Sequence, residues 1–230
     1  MKIRSLLFLM IIILFTGCAQ KTISPEKLKR ISKIGVMSIH GNQIESIERG
    51  LTIFGNEDNL TDASSWEIDK FIVDELRKEL ELRKYTVQPI FLTQNEIIKY
   101  DNSDSYKLKQ KFLKEIILKH NLDSLLVMVR GYYVPETHDY TRGIAIIKAN
   151  ALGMENTFAK FNLYLEGSFL ENNEVSDLHF NKIVAFVELE NELWINTKES
   201  IPSKNLLIIE ERIKKSLSSL INKEIDLIGY

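Results

Sequence analysis

"FLKEIILKHNLDSLLVMVRG", residues 112–131, changes its period half-way along. Phe112, Ile116 and Ile117 recur at helical spacing, with Leu108 one turn earlier, and predict one apolar helix face. From Leu122 onward the residues are apolar on both sides of an extended chain, too apolar for a surface strand. Asn121 stands at the hand-off, where a residue tolerant of the left-handed conformation ends a helix. An amphipathic helix that feeds a strand buried on both faces calls for helices packed on a sheet.

The chain on either side agrees. "ISKIGVMSIH" (31–40) is a β-branched run stopped by Gly41, a first strand. "RGLTIFGN" (49–56) is read as a second, short strand between glycines. Ser64 and Glu67 are spaced as a capping box ahead of a helix over residues 66–84. In that helix Ile68, Ile72, Leu76 and Leu80 form a buried stripe with Val73 beside it. "YTVQPIFL" (85–92) is read as a strand that Pro89 restricts to an edge or an end.

After residue 142 the signals are strands: "RGIAIIKANAL", "FAKFNLYLEGSFLE" and "NKIVAFVELENELWI". In the middle one Phe161, Leu163, Leu165 and Phe169 alternate with Asn162, Tyr164 and Glu166. "SKNLLIIEERIKKSLSSLINKEI" closes the chain as an amphipathic helix. The expected fold is α+β, a mixed sheet with two or three packed helices. Its strand-helix-strand-helix-strand part is followed by an antiparallel meander and a C-terminal helix. A division near residue 140 stays open, with "VPETHDY" as the one linker-like stretch.

The N-terminus carries a different signal. Lys2 and Arg4 precede ten consecutive apolar residues, Leu6 to Phe15. A bilayer-spanning helix needs about 20. A basic start, a short apolar centre and small residues at its end make a secretory signal peptide. "FTGC" resembles the lipobox of bacterial lipoproteins, and the resemblance implies that Cys18 is acylated and becomes the mature N-terminus. Ala19 in place of aspartate implies, within that family, sorting to the outer membrane where the cell has one. The expected organisation is a signal peptide over 1–17, a lipidated tether over 18–30 and one α+β domain over 31–230. The twelve residues after Cys18 reach at most ~40 Å. Lys21, Lys27, Lys29, Arg30 and Lys33 are candidates to touch anionic headgroups, beside the reading of a solvated linker.

Removing Lys2 and Arg4 from 30 basic residues leaves 28 against 32 acidic ones, a net charge of −4 with histidine neutral. That is no nucleic-acid footprint. With Cys18 acylated no thiol is left for a disulfide or a metal, so the exported domain depends on its core. No cofactor is expected.

"KIGVMSI", the 66–84 helix running into "YTVQPI", and "FLKEIILKHNLDSLLVMVRG" come in a recognisable order. They resemble the domain shared by the TolB N-terminal region and by CsgG-type and LpoB-type envelope lipoproteins. Asn121, Leu122 and Asp123 form the turn and Gly131 the strand end of that pattern. "GLTIFGN" and the long strand pair over 157–195 depart from it. The resemblance implies envelope assembly or regulation by protein contacts and assigns no functional residue, because fold does not dictate function.

The four histidines, His40, His120, His138 and His179, lie in separate elements, and neither HExxH, a GxSxG elbow nor a P-loop appears. "DNSDSY" (101–106) lacks the glycine and acid of a calcium loop, with Tyr106 and Phe112 in their places. The reading is non-catalytic, with a hydrolase assembled across the fold as the residual alternative. Lys107, Lys109, Lys111, Lys114 and Lys119 give the 105–120 helix a basic face, read as solvated ahead of membrane-bound. Glu188, Glu190 and Glu192 are expected on one exposed face, opposite Val187, Leu189 and Leu193, as a candidate partner contact. The function expected is a lipid-anchored accessory that docks to an envelope protein of a transport or assembly system. The alternative is a lipoprotein that binds a small molecule, lipid or glycan beneath the 134–142 loop, lined by Tyr132, Tyr133, His138 and Tyr140.

Overall fold

A computed structural model describes residues 24–50, 56–101, 106–131, 141–151, 154–171, 174–194 and 203–230. In chain order the elements are α1 (Pro25–Leu28), β1 (Lys33–Ile39), β2 (Gln43–Arg49), β3 (Glu57–Asp62), α2 (Ile68–Leu82), β4 (Thr86–Pro89), α3 (Gln94–Asp101), α4 (Tyr106–His120), β5 (Ser124–Arg130), β6 (Gly143–Ala151), β7 (Met154–Glu171), β8 (Glu174–Leu189) and α5 (Ser203–Ile228). The fold is α+β with a mixed sheet, an antiparallel meander and a C-terminal helix.

The eight strands fall into five lines because several continue one another. β7 is 18 residues long and pairs antiparallel with β8 along most of its length. Its other side pairs with β5 through Leu163–Phe169 and with β6 through Met154–Asn162. Neighbouring residues Leu163 and Asn162 oppose Arg130 and Gly143, so the chain leaves one strand line at residue 131 and rejoins it near 143. β1 and β2 form the next line, parallel to β5 and β6 and broken at His40–Asn42. β4 lies parallel beside β1, and β3 antiparallel beside β2.

One face of this sheet is covered by α2 and α5. Ile34, Val36, Leu126, Met128, Ile144, Ile146, Phe161 and Leu163 meet Ile72, Leu76, Leu80, Ile213, Leu217 and Ile221 there, all fully buried. The expected 68/72/76/80 stripe is the buried stripe of α2. The other face is covered only in part: α3 and α4 bury Met37, Ile39, Val127 and Val129 with Tyr100, Phe112, Leu113, Ile116 and Ile117. Over β2, β6 and β7 that face carries a small separate cluster, Ile47, Ala145 and Ile147 with Phe158 against it.

Several local expectations need correction. The second strand is Gln43–Arg49, earlier than the expected 49–56, whose residues 51–55 lie outside the described residues. Ser64 belongs to a 3₁₀ turn, Ser64–Trp66, and Glu67 takes φ 46° between that turn and α2, so there is no capping box. The Ser64 hydroxyl and N–H both turn back to Asp62, the N–H at 2.9 Å. Leu108 is 53% exposed, and Leu113 takes the buried place expected for it. The end of α4 is as expected, with Asn121 at φ 51°. The last part of the tether is not free chain: Leu28 packs on the core and Arg30 meets Glu171 at 3.1 Å.

Candidate functional site

The two strand lines are broken at the same height, and the buried Ser38, His40, Thr141 and Asn162 lie there. Asp69 lies in the first turn of α2. It accepts the Ser38 hydroxyl at 2.6 Å and the His40 N–H at 2.7 Å on one oxygen, and the Gly41 N–H at 3.0 Å on the other. One carboxylate thus satisfies the backbone N–H groups of His40 and Gly41 at the break in the first line. A helix N-terminus also favours the negative charge.

His40 bridges to the second broken line. Its Nε2 lies 3.1 Å from the Ile144 N–H, which donates to it, and its Nδ1 lies 3.0 Å from the Gly41 carbonyl. An Nε2 that accepts fixes the neutral tautomer with the proton on Nδ1. Burial pushes the imidazole below its ordinary pKa, and Arg130 adds to this against the opposing pull of the Gly41 carbonyl and Asp69. Gly143 has φ 72°, and a Cβ there would stand 2.7 Å from Nε2, so this position requires glycine. Asn162, fully buried, donates to the Thr141 carbonyl at 2.6 Å, and its own carbonyl accepts from the Gly131 N–H at 2.6 Å.

Above the break opens a cleft of about 370 Å³ lined by His40, Asn42, Gln43, Asp62, Ser64, Asp69, Ile97 and Arg130. Both oxygens of Asp69 and both nitrogens of His40 are occupied by backbone or by Ser38, so this pair acts as a clamp and is not arranged as a base and its orienter. Among the described residues no group of three or more His, Cys, Asp and Glu is placed to hold a metal ion. The sequence showed His40 as the end of a strand and gave no sign that Asp69 or Gly143 lies beside it.

The acidic trio is split between two elements. Glu188 is on β8, but Glu190 follows the strand and Glu192 sits in the 3₁₀ turn Asn191–Leu193. All three are exposed, and Glu190 pairs with Arg212 of α5 at 2.5 Å. The expected inward residues are half-buried at Val187 and buried at Leu189 and Leu193. His120 is on α4, where its Nδ1 meets the Gln88 amide at 2.8 Å, and His179 is on β8. Cys18, Tyr132, Tyr133, His138 and Tyr140 lie outside the described residues. Of the tether cations, Lys27 and Arg30 reach Glu171, and the Lys33 ammonium donates to the His120 carbonyl at 2.7 Å. On α4, Lys107 and Lys111 are exposed, and Lys119 meets Glu96 at 3.4 Å.

No family model and no curated protein matches the chain. Solved structures to which it is similar include a Xanthomonas campestris protein of family DUF330, with TM-score 0.41, 7% identity and coverage of 86% of this chain and 84% of that one. Another is the hypothetical protein CT253 of Chlamydia trachomatis, with TM-score 0.42, 7% identity and coverage of 87% and 97%. A third is lipoprotein GNA1162 of Neisseria meningitidis, with TM-score 0.32, 7% identity and coverage of 80% and 97%. Likeness at this level carries no argument about function. Among the described residues no helix is long and apolar enough to cross a membrane.

Proposed function

We propose that the chain is a lipid-anchored, non-catalytic protein of the cell envelope that docks to an envelope protein with the uncovered part of its outer sheet face. The observation that carries this reading is the apolar surface that α3 and α4 leave bare. Leu60 on β3 is 65% exposed and borders a hollow of about 110 Å³ with Ile47, Glu45, Asp58 and Asn59. Phe158 and Phe186 follow on β7 and β8, their ring centres 5.7 Å apart. Lys160, Lys182 and Glu188 stand around them on the same strands. An apolar surface with a charged rim is the usual build of a docking site. The signal peptide and "FTGC" support the anchor, and sorting to the outer membrane follows if Ala19 acts there as it does in the lipoprotein family.

Affinity purification from detergent-solubilised membranes tests the docking. The parent chain is expected to recover a stable protein partner, and Leu60→Asp to lose it while still folding. A Glu188→Gln/Glu190→Gln/Glu192→Gln chain separates a charged contact from a solvated rim. Equal recovery by the parent and the Leu60→Asp chain contradicts the assigned face.

A second reading, a small polar ligand, is favoured by the cleft over the strand break, whose lining includes charges of both signs, Arg130 and Asp62. Binding there predicts a ligand-dependent rise in melting temperature that Arg130→Ala abolishes.

A further inference from the structure

The outer edge of β8 is open: among the described residues this strand pairs with β7 alone. An unpaired edge is a template for another strand, and natural edges usually carry charges that discourage such pairing. On β8 the charges are placed differently. Lys182, Val184, Phe186 and Glu188 share the outer face and are all exposed, Val184 to 46% and Phe186 to 62%. Ala185 lies at the centre of this series, with an apolar residue and then a charge on each side, and the two charges have opposite sign.

Such a sequence is complementary to itself when it runs antiparallel. Pairing two copies about Ala185 sets Lys182 opposite Glu188 of the partner subunit, twice, and Val184 opposite Phe186 of the partner subunit, twice. Opposite charges and aromatic with β-branched residues are favourable cross-strand pairs. A parallel pairing in the same register would oppose Lys182 to its own copy, which is unfavourable. Sliding the antiparallel register by two residues sets Lys182 opposite Phe186 in one direction, and in the other opposite Glu190, which lies past the strand's end at Leu189 and already pairs with Arg212. On the inner face Ile183 and Val187 meet across the same axis, extending the apolar surface that α5 covers.

We propose that the protein forms a symmetric homodimer by antiparallel pairing of β8 edges centred on Ala185, which joins two sheets into one. The pairing does not rest on the lipid anchor; it shares Lys182, Phe186 and Glu188 with the docking face, and edge-to-edge pairing leaves that face itself uncovered. A two-fold contact of this kind is closed and does not propagate into fibres.

Sedimentation velocity of the full acylated chain in detergent, over a range of concentrations, tests this. A concentration-dependent dimer is expected. Lys182→Glu and Glu188→Lys each turn two attractive pairs into two repulsive ones and should weaken the dimer roughly tenfold. The Lys182→Glu/Glu188→Lys chain restores both pairs and should recover the parent's dissociation constant. Matching melting temperatures show that the variants remain folded. A chain that stays monomeric throughout, or a double variant as weak as the single ones, overturns the proposal and leaves Lys182 and Glu188 as guards against aggregation.

Discussion

Asp69 accepts the backbone N–H of His40 at 2.7 Å, tying the first turn of α2 to the point where the first strand line breaks. The same carboxylate takes the Gly41 N–H and the Ser38 hydroxyl. Asp69→Ala leaves three donors without their charged acceptor. Hydrogen bonds to charged groups contribute about 1.5–3 kcal/mol, and solvent at this half-buried site offsets part of the loss, so a cost of roughly 2–4 kcal/mol is expected. Urea unfolding measures it.

His40 makes stability depend on pH. Its folded pKa lies below the ordinary value of 6.5, so the unfolded chain binds the proton more readily. The stability it contributes is complete above about pH 6.5 and is lost as the pH falls through that value towards the lower folded one. Protonation also removes the acceptor of the Ile144 N–H. Asp69 and Arg130 are the charged groups that face it. The urea midpoint of the parent chain should fall between pH 7 and pH 5, roughly the range over which a histidine of this kind titrates. In His40→Gln this part of the pH dependence should disappear.

Gly143→Ala should destabilise by more than about 1 kcal/mol, the cost of a Cβ at positive φ, because that Cβ also meets the His40 ring. His40→Ala removes the ring and should recover the steric share alone. A double-mutant cycle in denaturant checks this, with a coupling of opposite sign to the single losses.

Leu76 is fully buried in the stripe of α2, and Leu76→Ala should cost roughly 2–5 kcal/mol. Leu108→Ala on α4 should change stability by less than about 0.5 kcal/mol, because Leu108 is 53% exposed. Thermal or urea unfolding of the two variants side by side is the check.

Strong local periodicity made much of the fold legible. The stripe of α2, the hand-off at Asn121 and the alternation along β7 each bury apolar side chains at a fixed spacing. β3 had no such signal: "EDNLTD" has Leu60 as its one apolar residue and becomes a strand only through its pairing with β2. β2 places Ile44 on one core and Ile47 on another, so neither face shows an apolar row. α3, "QNEIIKYD", is a short polar helix held down chiefly by Tyr100. The polar site was not legible at all. Nothing in the sequence marks Asp69, between Ile68 and Ile72, and its role appears only when β1, β6 and α2 meet. Likewise, Glu190 and Glu192 continue the strand's alternation in sequence, although the strand ends at Leu189.

The lipid anchor at Cys18 fixes where the domain works, and intact mass spectrometry of the chain extracted from membranes reads it without an intermediary. The expected species begins at Cys18 and carries a diacylglyceryl group on the thiol, so its mass is that of residues 18–230 plus the lipid. A mature N-terminus at any other residue, or an unmodified Cys18 thiol, would contradict the account.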